Sequence, residues 1–363
     1  MFNIQGWGTD KFFDVGCGHS SSVERIFSAL KELKWGSGQI ESIIISHAHP
    51  DNMGAIEMLL SGVAPKHIIL HEFDVTCARE PKKLTLCFDI ALCIERFPRR
   101  GGQADTKNDL PFNLRTYFQS FGCPKCSMEP DRIVREGDRV QVGAYDFHVI
   151  HTPGHAPGHI SLYEPKKRLL LAGDLIGRIP AWYAPSSGCV GKYLDSLQKI
   201  EKLDIDLILP SHGSVIRDAA QAIRGTREKI LERDCRIIRS LETGTKSFAE
   251  LNALLFGNPS TQFFPGVPIL ESHLQKLKDE GRITTGKRGY ALVRDANMMT
   301  CNFCSYVRQR HACCAGWLVY QGPDISVSGA GVRAFAERTL ALAPLYLALN
   351  SMKCPIWLNL FNT

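Results

Sequence analysis

Two histidines and an aspartate alternate in Ser46-His47-Ala48-His49-Pro50-Asp51-Asn52, directly after the apolar run Ile43-Ile44-Ile45. Imidazole nitrogens of borderline softness beside a hard carboxylate oxygen suit Zn²⁺ or a similar transition-metal ion. A metal held this way activates water and polarises a carbonyl or phosphoryl oxygen, which is the chemistry of hydrolysis. The bland alternative is a pair of solvated loop histidines beside an aspartate that caps a helix, since short motifs also arise by chance.

Such chemistry needs its donors carried to one place, and the chain repeats the same device. Phe147-His148-Val149-Ile150 reads as a strand and runs into His151-Thr152-Pro153-Gly154-His155-Ala156-Pro157-Gly158-His159. Residues 168–173 read as a strand ending at Asp174, and residues 206–210 as one ending in Ser211-His212-Gly213. Lys11-Phe12-Phe13 ends at Asp14, and the stretch after Gly54 reads as a helix. Each apolar strand delivers a His or an Asp at its C-terminal end, where the loops of α/β proteins build sites. His151, His155 and His159 are spaced by four, but Pro153, Gly154, Pro157 and Gly158 forbid a helix. Their spacing belongs to a rigid loop.

The ordered set His-x-His-x-Asp, Thr-Pro-Gly-His, Ala-Gly-Asp and Ser-His-Gly resembles the metallo-β-lactamase superfamily over about residues 10 to 216. The resemblance implies an α/β (α+β) fold, an αββα sandwich with metals at one edge of two facing sheets. It implies His47, His49 and His155 as ligands of a first metal, Asp51 and His212 as ligands of a second, and Asp174 as the bridge. Asp14 matches the family's early aspartate, which stands behind the ligands, and His151 and His159 are expected at a strand end or behind them too. One position departs from the pattern: Asn52 stands where most hydrolases of the family have a histidine. An amide oxygen is a weaker donor to zinc than imidazole. The expectation is one tight metal, zinc first with iron or manganese as alternatives, and a weakened second site. A working single-metal enzyme is favoured over a degraded copy. Asp51 is then the expected catalytic group, orienting or deprotonating the water.

A resemblance to hydroxyacylglutathione hydrolases makes a small-molecule thioester or related ester the leading substrate class. Cleavage of RNA phosphodiesters is the second reading, and a non-catalytic binding or regulatory protein the third.

The surroundings set the domain expectations. A chain of 363 residues has room for a hydrolase domain over residues 1–223 and a smaller unit after it. Residues 76–130 read as an insertion beside the active site, with helices over residues 84–96 and 114–121. Arg99 and Arg100 in it are candidates to meet an anionic substrate, and Cys123 and Cys126 read as plain loop. Residues 224–293 read as winged-helix-like: helices over 224–241, 247–256 and 267–280, then a hairpin over 281–293. The third helix sets Glu271, Asp279 and Glu280 against His273, Lys276 and Lys278, a mixed face poor for phosphates, so no specific DNA partner is expected. Residues 294–363 form an extension whose Cys301, Cys304, His311, Cys313 and Cys314 only weakly suggest a zinc knuckle. The net charge of +6 calls for no nucleic acid. No segment reads as a signal peptide or a membrane span. Thirteen cysteines without framework spacing suit a reducing compartment, which makes the cytoplasm the expectation. Only thirteen residues precede Asp14, so the family's opening strand is expected to be short or missing.

Overall fold

Neighbouring residues along each apolar strand face two different interiors. Phe13, Ile44, Ile69 and Val134 meet Val140, Phe147, Val149, Leu162, Leu171 and Leu209 in one. Phe12, Ile43, Leu70, Leu170 and Ile208, each one position away, belong to another that is shared with helices. Side chains alternate across a strand, so a strand apolar at every position must be covered on both faces. The computed structural model, which describes residues 2–4, 10–32, 40–65, 67–96, 114–123, 127–142 and 145–293, shows how.

The first sheet runs β1 (Phe2–Ile4), β2 (Asp10–Phe13), β3 (Ile40–Ile44), β4 (His67–His71), β5 (Arg132–Val134), in that order. β1 pairs antiparallel with β2, and β2 through β5 are parallel. A short strand therefore does precede the stretch ending at Asp14. The second sheet has the order β10–β9–β8–β7–β6, from β6 (Arg139–Val142), β7 (Tyr145–His151), β8 (Ile160–Glu164), β9 (Leu169–Gly173) and β10 (Leu207–Pro210). Its pairs are antiparallel except β9 with β10.

Helices supply the outer cover. α1 (Ser20–Glu32) buries Val23, Ile26 and Leu30; the short α2 (Pro50–Met53) and α3 (Ile56–Leu60) follow β3. The segment after β4 holds α4 (Val75–Arg79), α5 (Leu84–Cys87), α6 (Ile90–Arg96) and α7 (Leu114–Ser120). A single helix over residues 84–96 was the expectation, and the chain breaks it at Phe88-Asp89. Asp89 sits at φ +52, and its carboxylate accepts the backbone N–H of Ser186 at 2.9 Å and that residue's hydroxyl. A partner 97 positions away overrides the local helical pattern. Arg99, Arg100 and Cys126 lie outside the described residues; Cys123 is buried.

Beyond α8 (Cys189–Glu201) and β10, α9 (Ala219–Glu242) spans residue 223, where the sequence divides the chain. Its first half gives Ala219, Ile223 and Ile230 to the main interior. Its second half gives Ile237 and Leu241 to a separate one with Leu251, Leu270, Leu274, Leu277, Ile283 and Tyr290. α10 (Phe248–Leu255) starts at a capping box of Ser247 and Glu250, a signature readable in the sequence. α11 (Pro259–Thr261), α12 (Val267–Asp279) and the antiparallel hairpin β11 (Ile283–Gly286) and β12 (Gly289–Leu292) complete the segment. α12 buries Val267, Ile269, Leu270, His273, Leu274 and Leu277. Two of its charged side chains are paired: Glu271 faces Arg96 of α6 at 3.4 Å, and Lys276 bridges Asp234 at 2.8 Å and Glu280 at 2.7 Å. Among the described residues no helix is long and apolar enough to cross a membrane. The cysteines and histidine of residues 294–363 lie outside the described residues.

Candidate metal centre

The loop after β3 closes on itself at once. The backbone N–H groups of Asn52 and Met53 both donate to the carbonyl of His49, at 3.0 and 2.9 Å, and Pro50 opens α2, where its missing N–H costs nothing. This tight turn gathers His47, His49 and Asp51, all buried. His155 arrives on the loop between β7 and β8, Asp174 directly after β9 and His212 after β10. The six form two groups whose ligand atoms lie within 4.8 Å of one another: His47, His49 and His155, and Asp51, Asp174 and His212.

Hydrogen bonds behind the imidazoles decide which nitrogen faces inward. Asp14, fully buried, accepts the Ser46 N–H at 2.7 Å and the Ser46 hydroxyl at 2.9 Å. That hydroxyl has given its proton to Asp14, so at 2.8 Å it accepts Nδ1–H from His47, and Nε2 is left as the donor atom. His155 gives Nδ1–H to the Trp182 carbonyl at 2.7 Å, which likewise leaves Nε2 pointing inward. His49 Nδ1 lies 3.0 Å from His155 Nε2. Two nitrogens at about 2.0–2.1 Å from a tetrahedral ion stand about 3.3 Å apart, so the pair is close to the spacing an ion imposes. Asn52 turns its amide Nδ2 to His47 Nε2 at 3.3 Å and thus sits beside the imidazole group.

Asp174 joins the two groups. Its Oδ2 lies 3.4 Å from His155 Nε2 and 3.9 Å from His47 Nε2, and its Oδ1 lies 3.5 Å from His212 Nε2. Asp51 Oδ2 is 3.4 Å from the same nitrogen. Asp51 Oδ1 and Asp174 Oδ1 are buried without a hydrogen-bond donor, as is His49 Nε2 without a partner. Buried carboxylate oxygens lacking donors are rare because each forfeits its solvation, and a cation is the natural complement. The residues present therefore fit a divalent metal.

For His47, His49 and Asp174 the electrostatics agree with a ligand role. Burial, then the neighbouring histidines, holds His47 and His49 well below the usual imidazole range, so both are neutral and able to donate. Burial would raise Asp174, but His212, His155 and His47 outweigh it and hold the carboxyl well below its ordinary value. Desolvation opposes charge on His212 as well; the facing carboxylates of Asp174 and Asp51 win and raise it to about 9. His212 stands at the rim, with 43% of its side chain exposed.

The remaining histidines of the loop are engaged elsewhere. His159 Nε2 accepts the Asp174 backbone N–H at 2.9 Å, and its Nδ1 lies 2.8 Å from the Thr152 hydroxyl. It positions Asp174 rather than facing inward. Gly173 is required there, since a Cβ would come within 2.5 Å of His159 Nε2. His151 gives Nε2–H to the Pro157 carbonyl at 2.8 Å and stacks on His71 with centroids 4.2 Å apart. Three contributors carried no signal in the sequence. Asp74 accepts the Ala48 N–H at 2.9 Å and the Gly158 N–H at 2.7 Å, holding both histidine loops with one carboxylate. Trp182 stacks on His49 at 5.3 Å and 15°, and Phe88 meets that ring edge-on at 5.3 Å.

Comparison with known proteins places this architecture. The family model described as "Metallo-beta-lactamase superfamily" matches residues 4–212. The chain belongs to the metallo-β-lactamase superfamily and is a hydrolase of that class. The probable metallo-hydrolase YqjP of Bacillus subtilis (strain 168) is 23% identical over 282 residues, 75% of this chain and 85% of that protein. An uncharacterised protein of Aquifex aeolicus (strain VF5) is 30% identical over 47% of this chain, and the match spans 64% of its own length. A hydroxyacylglutathione hydrolase of Legionella pneumophila (strain Corby) is 40% identical over 76 residues, 21% of this chain and 26% of that enzyme. Among solved structures, the metallo-beta-lactamase family protein TTHA1429 from Thermus thermophilus superposes with a TM-score of 0.63 at 22% identity, over 81% of this chain and 92% of that one. That share exceeds what residues 4–212 make up, so the likeness in fold continues past His212.

Proposed function

We propose that the chain hydrolyses a small thioester or related ester at the centre formed by His47, His49, Asp51, His155, Asp174 and His212. The observation that carries this reading is the pair of donorless, buried carboxylate oxygens of Asp51 and Asp174 among convergent imidazole nitrogens. A divalent metal bound there supplies Lewis acidity, lowering the pKa of water and polarising the substrate carbonyl. Asp51 Oδ1, with no donor of its own, accepts the proton of the attacking water. Asp174 holds the two ligand groups in register, and His212 at the rim meets the entering substrate. The rings of Trp182 and Phe88 exclude water from the His49 side. With three imidazoles in one group and one in the other, a single tight metal is the proposal, zinc first, with a looser second. The thioester rests on the name of the hydroxyacylglutathione hydrolase relative, matched over about a quarter of its length.

The test is a panel of acylglutathione and acyl-CoA thioesters, lactones and single-stranded RNA, with and without chelator. Chelator-sensitive thioester turnover is expected, with about one metal per chain surviving dialysis. Asp51→Asn should lower kcat by about 10²–10⁴-fold with a smaller change in KM, as for a group acting on the water. Asn52→His should retain a second metal. A native chain inert on every substrate, with activity only in Asn52→His, would overturn the proposal.

A further inference from the structure

Tyr183, His273 and Asp234 are buried and linked by hydrogen bonds that the hydrolytic chemistry does not use. His273 Nδ1 lies 2.6 Å from Asp234 Oδ1, and His273 Nε2 lies 2.6 Å from the Tyr183 hydroxyl. Arg233 Nη1 donates to that hydroxyl at 2.9 Å, and Lys276 Nζ to Asp234 Oδ2 at 2.8 Å. The ends of this line fix the direction of every bond in it. A guanidinium only donates, so the Tyr183 oxygen accepts from Arg233 and sends its own proton to His273 Nε2. The ring's proton then sits on Nδ1 and goes to Asp234, which only accepts. Every link has one donor and one acceptor, and a fully satisfied buried chain of this kind specifies one geometry.

Its placement gives the chain a purpose. Arg233 and Asp234 belong to α9, and His273 and Lys276 to α12. Tyr183 directly follows Trp182, whose carbonyl receives the His155 proton at 2.7 Å and whose ring stacks on His49. Any shift of Tyr183 moves the carbonyl that orients one imidazole of the centre and the ring that backs another.

We propose that Asp234, His273 and Tyr183 form a strut through which the C-terminal helices set the orientation of the His155 imidazole. They are positioning residues, touching neither metal nor substrate. The inference rests on the reading of His155 as a metal ligand.

Co²⁺ is the probe, because its visible absorption reports ligand geometry without any turnover. Its affinity is measured in the full chain by chelator competition, beside the melting temperature of the metal-free protein. Tyr183→Phe and His273→Leu should weaken Co²⁺ binding by about 10- to 100-fold, the usual range when a group supporting a metal ligand is lost, and shift the absorption band. In His273→Gln the amide accepts from Tyr183 and donates to Asp234, so affinity should stay within about threefold of the parent. Leu241→Ala, in the separate interior of the C-terminal helices, should lower the melting temperature and leave affinity and band unchanged. If His273→Leu does not fold, Tyr183→Phe, which keeps the ring, carries the test. Parental affinity and band in Tyr183→Phe or His273→Leu would overturn the strut, as would equal weakening by Leu241→Ala. A parent chain that takes up no Co²⁺ would overturn the ligand reading of His155 itself.

Discussion

Asp74 touches no ligand atom, yet it accepts one N–H from between His47 and His49 and another from the loop between His155 and His159. In Asp74→Asn the amide NH₂ faces one of those N–H groups and that bond is lost. A stability loss of about 1–3 kcal/mol and metal binding weakened by about 10- to 100-fold are expected, read by urea unfolding and chelator competition. The substitution also has a pH signature. Burial raises Asp74 to about 6, against the lowering by its two backbone donors. The folded carboxyl thus holds its proton more tightly than the unfolded one, which titrates near about 3.9. Its contribution to stability is fully present below about pH 4 and is lost as pH rises through about 6, amounting to roughly 3 kcal/mol. In chelator, the urea midpoint of the parent should fall more steeply than that of Asp74→Asn between about pH 4.5 and 7. Identical slopes would show that Asp74 does not titrate there.

At the scale of elements, the donors were legible because each of His47, Asp174 and His212 terminates or closely follows an apolar run, and β3, β9 and β10 lie where those runs are. α10 and α12 lie where the sequence reads as helices over residues 247–256 and 267–280. The break between α5 and α6 was not, because Asp89 answers to Ser186 on a distant loop. Nor were Asp74, Trp182 and the line from Tyr183 to Asp234, whose partners lie 26 to 133 positions away and leave no local period. Mixed charge on α12 points away from DNA, and two of its charged side chains are already paired, Glu271 with Arg96 and Lys276 with Asp234 and Glu280. Duplex DNA should bind weakly, without sequence preference, and be released between about 50 and 200 mM salt in an anisotropy titration. Sequence-specific binding that survives at the upper salt would contradict this packing.

Across the whole molecule, the centre is a seam. His47, His49 and Asp51 follow a strand of the first sheet, while His155, Asp174 and His212 follow strands of the second. A metal held by both sets, as proposed, would tie the two sheets together, so thermal stability should rise with free zinc, by about 4 kcal/mol at a thousandfold excess over Kd. Melting temperatures that ignore both zinc and chelator would refute the seam. α9 bears on the same question. It begins in the interior of the sandwich with Ala219 and Ile223 and finishes in that of the C-terminal helices with Leu241. A rod that belongs to two interiors cannot lose its register in one and keep it in the other. Heat should therefore meet a single cooperative unit, and a helix that looks like a boundary between modules is where the molecule is least divisible.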